Sequence, residues 1–536
     1  MMTVRLALAL LAPLVVLTAA RAHAQDALAP CLDGAAVVPD VGAFDGANVD
    51  LVGHLPLSAF TMEGEDPPFR ANDIWGWTDP ETGTEYALVG TYDNVGFVDL
   101  SDPTAPRLVG LLPATLNGTL ARDVKVYRGH ALVVGESSDQ GVQVFDLTRL
   151  RSVAGEPVAF EPDVVYDRVQ NAHNIAVDEA SGFAYALGAE YRPGDRETLG
   201  LPASCDVPGV HAIDMRDPQN PTFAGCFSDI LLDPNPYGWY GYTHDAQCVT
   251  YAGPDADYTG RQLCLGSNED VVTIFDVTDK ADVQIVSQAA YPNATYTHQG
   301  WFTEDQRYFF VSDEIDEQAD NASGGDGTQR TIVLDLLDLD DPEVAFIHDS
   351  GIRTVDHNQY VHDGHVYQSN YEAGLRILDL SQIESGTLRE VAYFDTHLLE
   401  DNLRYAGNWS NYPYFESGLV VASDMRNGLF VLRPDLATAV AREGGPAGGG
   451  FALSEPVPNP TTSGARLALR VDEAQAVRAE LYDVAGRRVA AVFDGVAGSG
   501  ADVRLDVSGE GLPAGVYVVR VVGETFEAAR RVVIAR

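Results

Sequence analysis

Lysine is almost missing from this chain of 536 residues: Lys125 and Lys280 are the only two. With 34 Lys and Arg residues against 79 Asp and Glu, the formal net charge is −45. A surface this acidic repels nucleic acid and anionic membranes, so no nucleic-acid partner is expected. It suits solubility in a salty exterior or the binding of multivalent cations, and most of the carboxylates read as solvated surface. Membrane-spanning runs are missing too. The apolar run at residues 6–20 is too short and wrongly flanked for a stable span, and no later segment qualifies, so the mature chain is expected to have no transmembrane segment. There is no G-x-S-x-G elbow, P-loop, dinucleotide fingerprint or H-E-x-x-H helix. The commonest nucleophilic, nucleotide-dependent and zinc-protease chemistries therefore lack their motifs. None of the cysteines has C-x-x-C spacing, which disfavours a structural zinc site.

What is present begins with an export signal. Arg5 is the positive n-region, residues 6–20 the apolar h-region and Ala22-His23-Ala24 an A-x-A cleavage site, so the mature chain is expected to begin near Gln25. Export permits disulfides. Cys205 and Cys226 bracket one predicted strand-turn-strand unit, and Cys248 and Cys264 another, so these are the expected pairs. Cys31 is left over, either free or reacting between chains. A hydrophobic content of 45% marks a globular chain.

The middle of the chain repeats. Each unit opens on a polar or His-containing dipeptide before an apolar strand. A second strand ends in small or acidic residues, and a third ends in an Asp-Leu type pair. A turn with Pro then leads into a short strand of the Val-Gly-x-Leu kind. Seven copies open at Asn72-Asp73, Arg122-Asp123, His173-Asn174, His244-Asp245, His298-Gln299, His357-Asn358 and Trp409-Ser410. A period of roughly fifty to seventy residues belongs to propellers more than to solenoids. The third copy is stretched by an insertion at residues 191–208. The seventh stops at its third strand, near Leu432-Arg-Pro434, while residues 48–56 resemble the outer strand of the first copy and precede it. Joining the two would close a ring and hide the edge strands. The expected fold is all-β: a seven-bladed β-propeller followed by a small C-terminal β-sandwich. Eight blades remain open if an insertion conceals a degenerate one.

These repeats resemble the LVIVD-repeat family, and more closely the choice-of-anchor B family of bacterial surface proteins, over about residues 31–434. The resemblance is carried by Asp123-Val-Lys-Val-Tyr127, Gly141-Val-Gln-Val-Phe-Asp-Leu147, Tyr242-Thr-His-Asp-Ala-Gln-Cys248, Ser267-Asn-Glu-Asp270, Tyr296-Thr-His-Gln-Gly-Trp301, Asp356-His-Asn358 and Gly374-Leu-Arg-Ile-Leu-Asp-Leu380. It implies architecture and a surface location, not a reaction. After a Gly-rich stretch at residues 444–450, the last module resembles the C-terminal sorting domain of type IX secretion substrates. The matching residues are Pro458-Asn-Pro460, Leu481-Tyr-Asp-Val-Ala-Gly-Arg-Arg-Val489 and Leu512-Pro-Ala-Gly-Val-Tyr-Val-Val-Arg520. That resemblance implies the type IX secretion machinery as a partner and an extracellular or outer-surface location. The expected division is a signal peptide at 1–24, the propeller at 25–435, a linker at 436–450 and the sorting β-sandwich at 451–536.

Four successive copies place a histidine at one position: His173, His244, His298 and His357. Inner strands of a propeller line its channel, so equivalent positions lie at one height around one axis. Neutral imidazoles meeting there suit zinc, copper, iron or nickel. Second strands return toward the same end and finish on Glu136, Glu190, Glu269, Asp270, Asp313, Glu314 and Asp424. These could ligate a transition metal or calcium, or orient the histidines. The acidic run from Asp313 to Asp326 could hold calcium, although it lacks the spacing of a standard calcium loop. The preferred reading of the histidines is a blade-to-blade hydrogen-bond device, with Asn174, Asp245, Gln299 and Asn358 joining it. Trp75, Trp77, Trp239, Trp301 and Trp409 could stack on sugars, though core packing is the commoner use. The expected function is a binding or scaffold module for an unidentified extracellular ligand. The alternative is a metal-dependent extracellular enzyme with the four histidines as ligands and a nearby carboxylate as base.

Overall fold

The computed structural model describes residues 36–38, 42–436 and 451–535, apart from 116–117, 137–139, 193, 206, 230–240, 399–401, 455, 457–460, 462–463, 472–473, 484–486, 501, 510, 514 and 524–526. The expected signal peptide, Cys31, Trp239, residues 444–450 and Pro458-Asn-Pro460 lie outside the described residues.

The architecture is all-β and propeller-like. Among the described residues, seven sheets built on four antiparallel strands succeed one another, the first also joined by a short parallel strand, Val158–Ala159. Their first strands are Ala71–Thr78, Arg122–Tyr127, Asn174–Asp178, Asp245–Thr250, Thr297–Phe302, Gln359–His362 and Asn408–Tyr412. The seventh sheet takes its fourth strand from the other end of the chain: Val49–Leu55 pairs antiparallel with Gly428–Pro434, Leu429 opposite Leu55. First strands of neighbouring sheets lie against each other, and the seventh lies against the first.

No single core serves these sheets. Strands such as Glu85–Thr91, His130–Gly135 and Tyr308–Asp313 are buried along nearly their whole length, because both faces of each sheet are covered by neighbouring sheets. Phe97 of the first sheet stacks on Phe145 of the second, ring centroids 4.8 Å apart, among Leu88, Val133 and Leu147. Between the seventh and first sheets, Val421, Leu429 and Val431 meet Ile74, Ala87 and Val89. The glycine in the outer strand has a packing reason. A Cβ on Gly53 would lie 2.0 Å from the Pro103 carbonyl oxygen, and one on Gly225 2.0 Å from that of Lys280, because a turn of the next sheet presses on the outer strand there.

The insertion in the third sheet forms a short helix, Asp195–Leu199, and a single turn, Ala203–Cys205. Cys205 is bonded to Cys226, pinning this insertion to the outer strand Thr222–Phe227. Cys248 is bonded to Cys264, its directly opposed partner on the next strand. At the C-terminus, a three-stranded and a four-stranded antiparallel sheet enclose one core that includes Leu467, Leu469, Leu481, Val519 and Val532.

Candidate metal centre

The residue that opens each repeat stands just before or at the start of an innermost strand. Six of these seven residues line one cavity: Arg122, His173, His244, His298, His357 and Trp409. The seventh, Asn72, instead donates its Nδ2 to the Leu120 carbonyl at 2.6 Å. The next residues, Asp73, Asp123, Asn174 and Asn358, also border the cavity, whose free volume of ≈ 10 Å³ has room for one water-sized group.

The four histidines form a continuous arc. Ring centroids are 4.1 Å apart for His173 and His244, 4.3 Å for His244 and His298, and 4.4 Å for His298 and His357. His244 Nδ1 lies 3.0 Å from the His298 carbonyl and His357 Nδ1 2.6 Å from the Trp409 carbonyl. A carbonyl only accepts, so both Nδ1 atoms carry the proton and both Nε2 atoms keep a lone pair. His173 Nδ1 is 2.6 Å from Glu136 Oε1. His298 Nδ1 is buried with no hydrogen-bond partner. Glu314 completes the arrangement. Its Oε2 is 3.7 Å from His298 Nε2 and its Oε1 is 3.8 Å from His357 Nε2. One ligand atom from each of His298, His357 and Glu314 can be chosen so that all lie within 4.8 Å of one another, the separation that a single bound ion allows.

Burial sets the protonation states. It pushes His244 and His298 well below the ordinary imidazole value, and His357 down to about 3, so all three are neutral ligands at neutral pH. His173 differs. Burial opposes its charge too, but Glu136, by charge and hydrogen bond, with Asp245 and Glu314 farther off, leaves its pKa raised. Glu314 is pushed up to about 7 by burial, against the Tyr371 hydroxyl that donates to its Oε1 at 2.6 Å.

Below the histidines lies a charged tier. Lys125 Nζ is 2.5 Å from Asp123 Oδ1 and 3.5 Å from Asp73 Oδ2, and 4.8 Å above the Trp75 ring. One of the two lysines of the chain is thus spent inside the propeller-like domain. Sheet-to-sheet bonds run through this tier: Asp123 Oδ2 accepts from the Ile175 amide, and Gln299 exchanges two bonds with the Gln359 backbone.

Of the acidic residues at second-strand ends, Glu136 and Glu314 reach the histidines. Glu269 has its partner in Tyr296, whose ring is 5.3 Å from His244. Glu190 accepts from Asn171, Asp313 from Tyr291 and two backbone amides, and Asp424 from Thr396 and two amides. Asp270 sits half-buried in the turn closed by Asn268 and Val271, and Asp326 is exposed. Glu136 and Glu314 are thus the two of these carboxylates with an oxygen near a histidine nitrogen, whereas Asp313 and Asp424 bond to backbone amides of their own turns. Trp409 lies 4.6 Å from His357, whereas Trp75 and Trp301 pack on Tyr360 and Trp77 on Tyr86. Tyr371 and Arg70, stacked 4.6 Å over Trp409, were not legible as site residues. The one available signal is positional: Tyr371 and Glu269 both have positive φ (38° and 68°) and bridge to the residue before the next repeat's opening.

Among solved structures, the extracellular domain of a one component system of B. thetaiotaomicron is similar at 11% identity and a TM-score of 0.42, with 90% of this chain and 58% of that chain covered. This chain therefore spans less than two thirds of that relative's length. A protein from Lactobacillus plantarum is similar at 14% identity and 0.41, covering 82% and 99%. The β-propeller domain of Myceliophteria thermophila Cps50 (Swd1) is similar at 10% and 0.39, covering 65% and 93%. No curated protein matches the chain. Residues 457–535 match the family described as secretion system C-terminal sorting domain, which implies handling by the type IX secretion machinery and, with the two disulfides, places the protein outside the cell or on its surface.

Proposed function

We propose that residues 25–435 are a closed seven-bladed propeller of the choice-of-anchor B type that is exported to hold a transition-metal ion at the mouth of its channel. His298, His357 and Glu314 are the ligands, and the His244 ring stands 4.3 Å from that of His298. The supporting observation is the convergence of one ligand atom each from His298, His357 and Glu314 within 4.8 Å. The outward Nδ1–H bond of His357 to a backbone carbonyl is how metal-bound imidazoles are usually oriented. Nitrogen ligands with one carboxylate suit zinc, iron, manganese or copper. The cavity walled by Arg122 and Trp409 has room for one water-sized group, which fits capture of the ion with a bound water.

Elemental analysis of the full exported chain tests this. One transition metal per chain, lost in His298→Ala and strongly reduced in Glu314→Gln, is the expected result. A folded, metal-free wild type that gains none on exposure to zinc, iron or manganese would sink the proposal. The second reading would then stand: a binding or scaffold module whose histidines tie neighbouring sheets. It is favoured by the bonds from His244 and His357 to the carbonyls of the following sheets.

A further inference from the structure

The two disulfides have different surroundings. Both are buried: Cys205 is 1% exposed, Cys226 7%, Cys248 3% and Cys264 1%. Cys248 and Cys264 face each other on neighbouring strands, among Ala246, Phe275 and Val277. Cys205 instead lines a cavity of ≈ 420 Å³ at the insertion, with Tyr191, Arg192 and Arg196. Its partner Cys226, on the outer strand Thr222–Phe227, has polar neighbours. Tyr191 Oη is 3.2 Å and His211 Nδ1 3.5 Å from the Cys226 sulfur. Tyr191 Oη and His211 Nδ1 are 2.7 Å apart, and Tyr166 Oη is 2.7 Å from His211 Nε2.

Chemistry gives this chain of contacts a direction. A disulfide sulfur carries no hydrogen, so Tyr191 is the donor to Cys226. With its one hydrogen spent there, Tyr191 accepts from His211 Nδ1–H, and Nε2 is left to accept from the Tyr166 hydroxyl. Burial keeps these states. It pushes both phenols up, so they stay protonated, and His211 down to about 3, so it stays neutral. Thiol–disulfide exchange needs one sulfur open to attack and another that leaves easily as a thiolate. The cavity serves the first need at Cys205. The Tyr191 hydroxyl serves the second at Cys226, because a hydrogen bond strengthens as its acceptor gains charge. We propose that Cys205–Cys226 exchanges with small thiols that enter this cavity. The thiolate attacks Cys205 Sγ, the S–S bond breaks, and Cys226 leaves as a thiolate held by the Tyr191 hydroxyl. Cys226 then takes up a proton from water, replacing the one the small thiol released. The products are a mixed disulfide on Cys205 and a Cys226 thiol. A second small thiol attacks the outer sulfur of the mixed disulfide, leaving Cys205 reduced and the two small thiols joined. On the cavity wall Arg192 and Arg196 balance Glu190 and Glu197, which spares an entering thiolate the repulsion of a chain of net charge −45. Opening the bond unpins the helix Asp195–Leu199, which has no buried residue of its own. The exchange would proceed whether or not the histidines hold a metal.

The test exposes the folded full chain to cysteine, traps thiols by alkylation at intervals and locates them by peptide mass spectrometry. Cys205–Cys226 should open before Cys248–Cys264, with the cysteine adduct on Cys205. Tyr191→Phe should slow that opening by about tenfold, the effect of one hydrogen bond to a charged group, and leave the other disulfide unchanged. A tyrosine that only packs predicts the reverse, since its loss loosens the insertion and speeds attack. Equal opening of both bonds, opening only in step with global unfolding in urea, an adduct on Cys226, or faster opening in Tyr191→Phe would each overturn the inference. The order of opening and the place of the adduct are read on the wild type, so both remain decisive if the variant does not fold.

Discussion

The strand that completes the seventh sheet carries a histidine that must stay neutral. His54 is 5% exposed, its Nε2 is 2.7 Å from the Asn427 carbonyl, and its ring lies 4.8 Å from Phe430. Burial lowers its pKa from 6.5 to about 4, the bond to Asn427 only partly opposing this. Between those two values the unfolded chain takes up a proton that the folded chain refuses. The stability this contributes is complete above pH 6.5 and is lost as pH falls toward about 4. At roughly 1.4 kcal/mol per pKa unit the full loss is about 3 kcal/mol, of which about 2 kcal/mol falls between about pH 7 and pH 5. Asp73, Asp245 and Glu314, all raised to about 7, act with the opposite sign, so the raw pH profile mixes both. The comparison that isolates His54 is wild type against His54→Gln, which keeps an N–H for Asn427 but does not titrate. Urea unfolding at the two pH values, with hydrogen exchange along Val49–Leu55, reads the difference. Acidification should cost the wild type about 2 kcal/mol more than the variant, with exchange of that strand accelerating first. Equal pH dependence in both proteins would refute the reasoning.

Tyr371→Phe removes the hydroxyl that donates to Glu314 while keeping the ring beside His357. Metal titration should show affinity weakened by about 10–100-fold, the usual effect of losing a group that orients a ligand, and unchanged affinity would remove Tyr371 from the site. Replacing Cys248 and Cys264 together by alanine opens a bond with a sequence separation of 16. Chain entropy alone predicts a loss of about 3 kcal/mol, checked by urea midpoints of the two proteins under non-reducing conditions.

Much of the fold was legible because it is periodic and local. Strand-length apolar runs, a turn after each and an Asp-Leu ending specify a four-stranded unit whose neighbours must cover both faces. The incomplete last copy and the spare strand at residues 48–56 found each other because each supplies what the other lacks. The cysteines paired across the strand-turn-strand units they bracket, Cys248 and Cys264 from facing strand positions and Cys205 from the turn of the insertion. The acidic composition and the C-terminal motifs likewise spoke for export without any coordinates.

The site was legible only as a position. Repetition put four histidines at one height, but it could not say which ring nitrogen faces a backbone carbonyl and which faces the cavity, since that depends on the register of the next sheet. Nor could it separate Glu314, which points at two imidazoles, from Asp313 beside it, which turns to backbone amides. Tyr371 reaches Glu314 from the sixth sheet, 57 residues away. Glu317 is one more acid in a chain full of them until the short helix Asp316–Ala322 buries it, where no donor waits for it. Sequence determined what repeats, because alternation and turn chemistry act over a few residues. Tertiary structure decided which side chains meet, because direction and burial are fixed only when separate sheets close on one another.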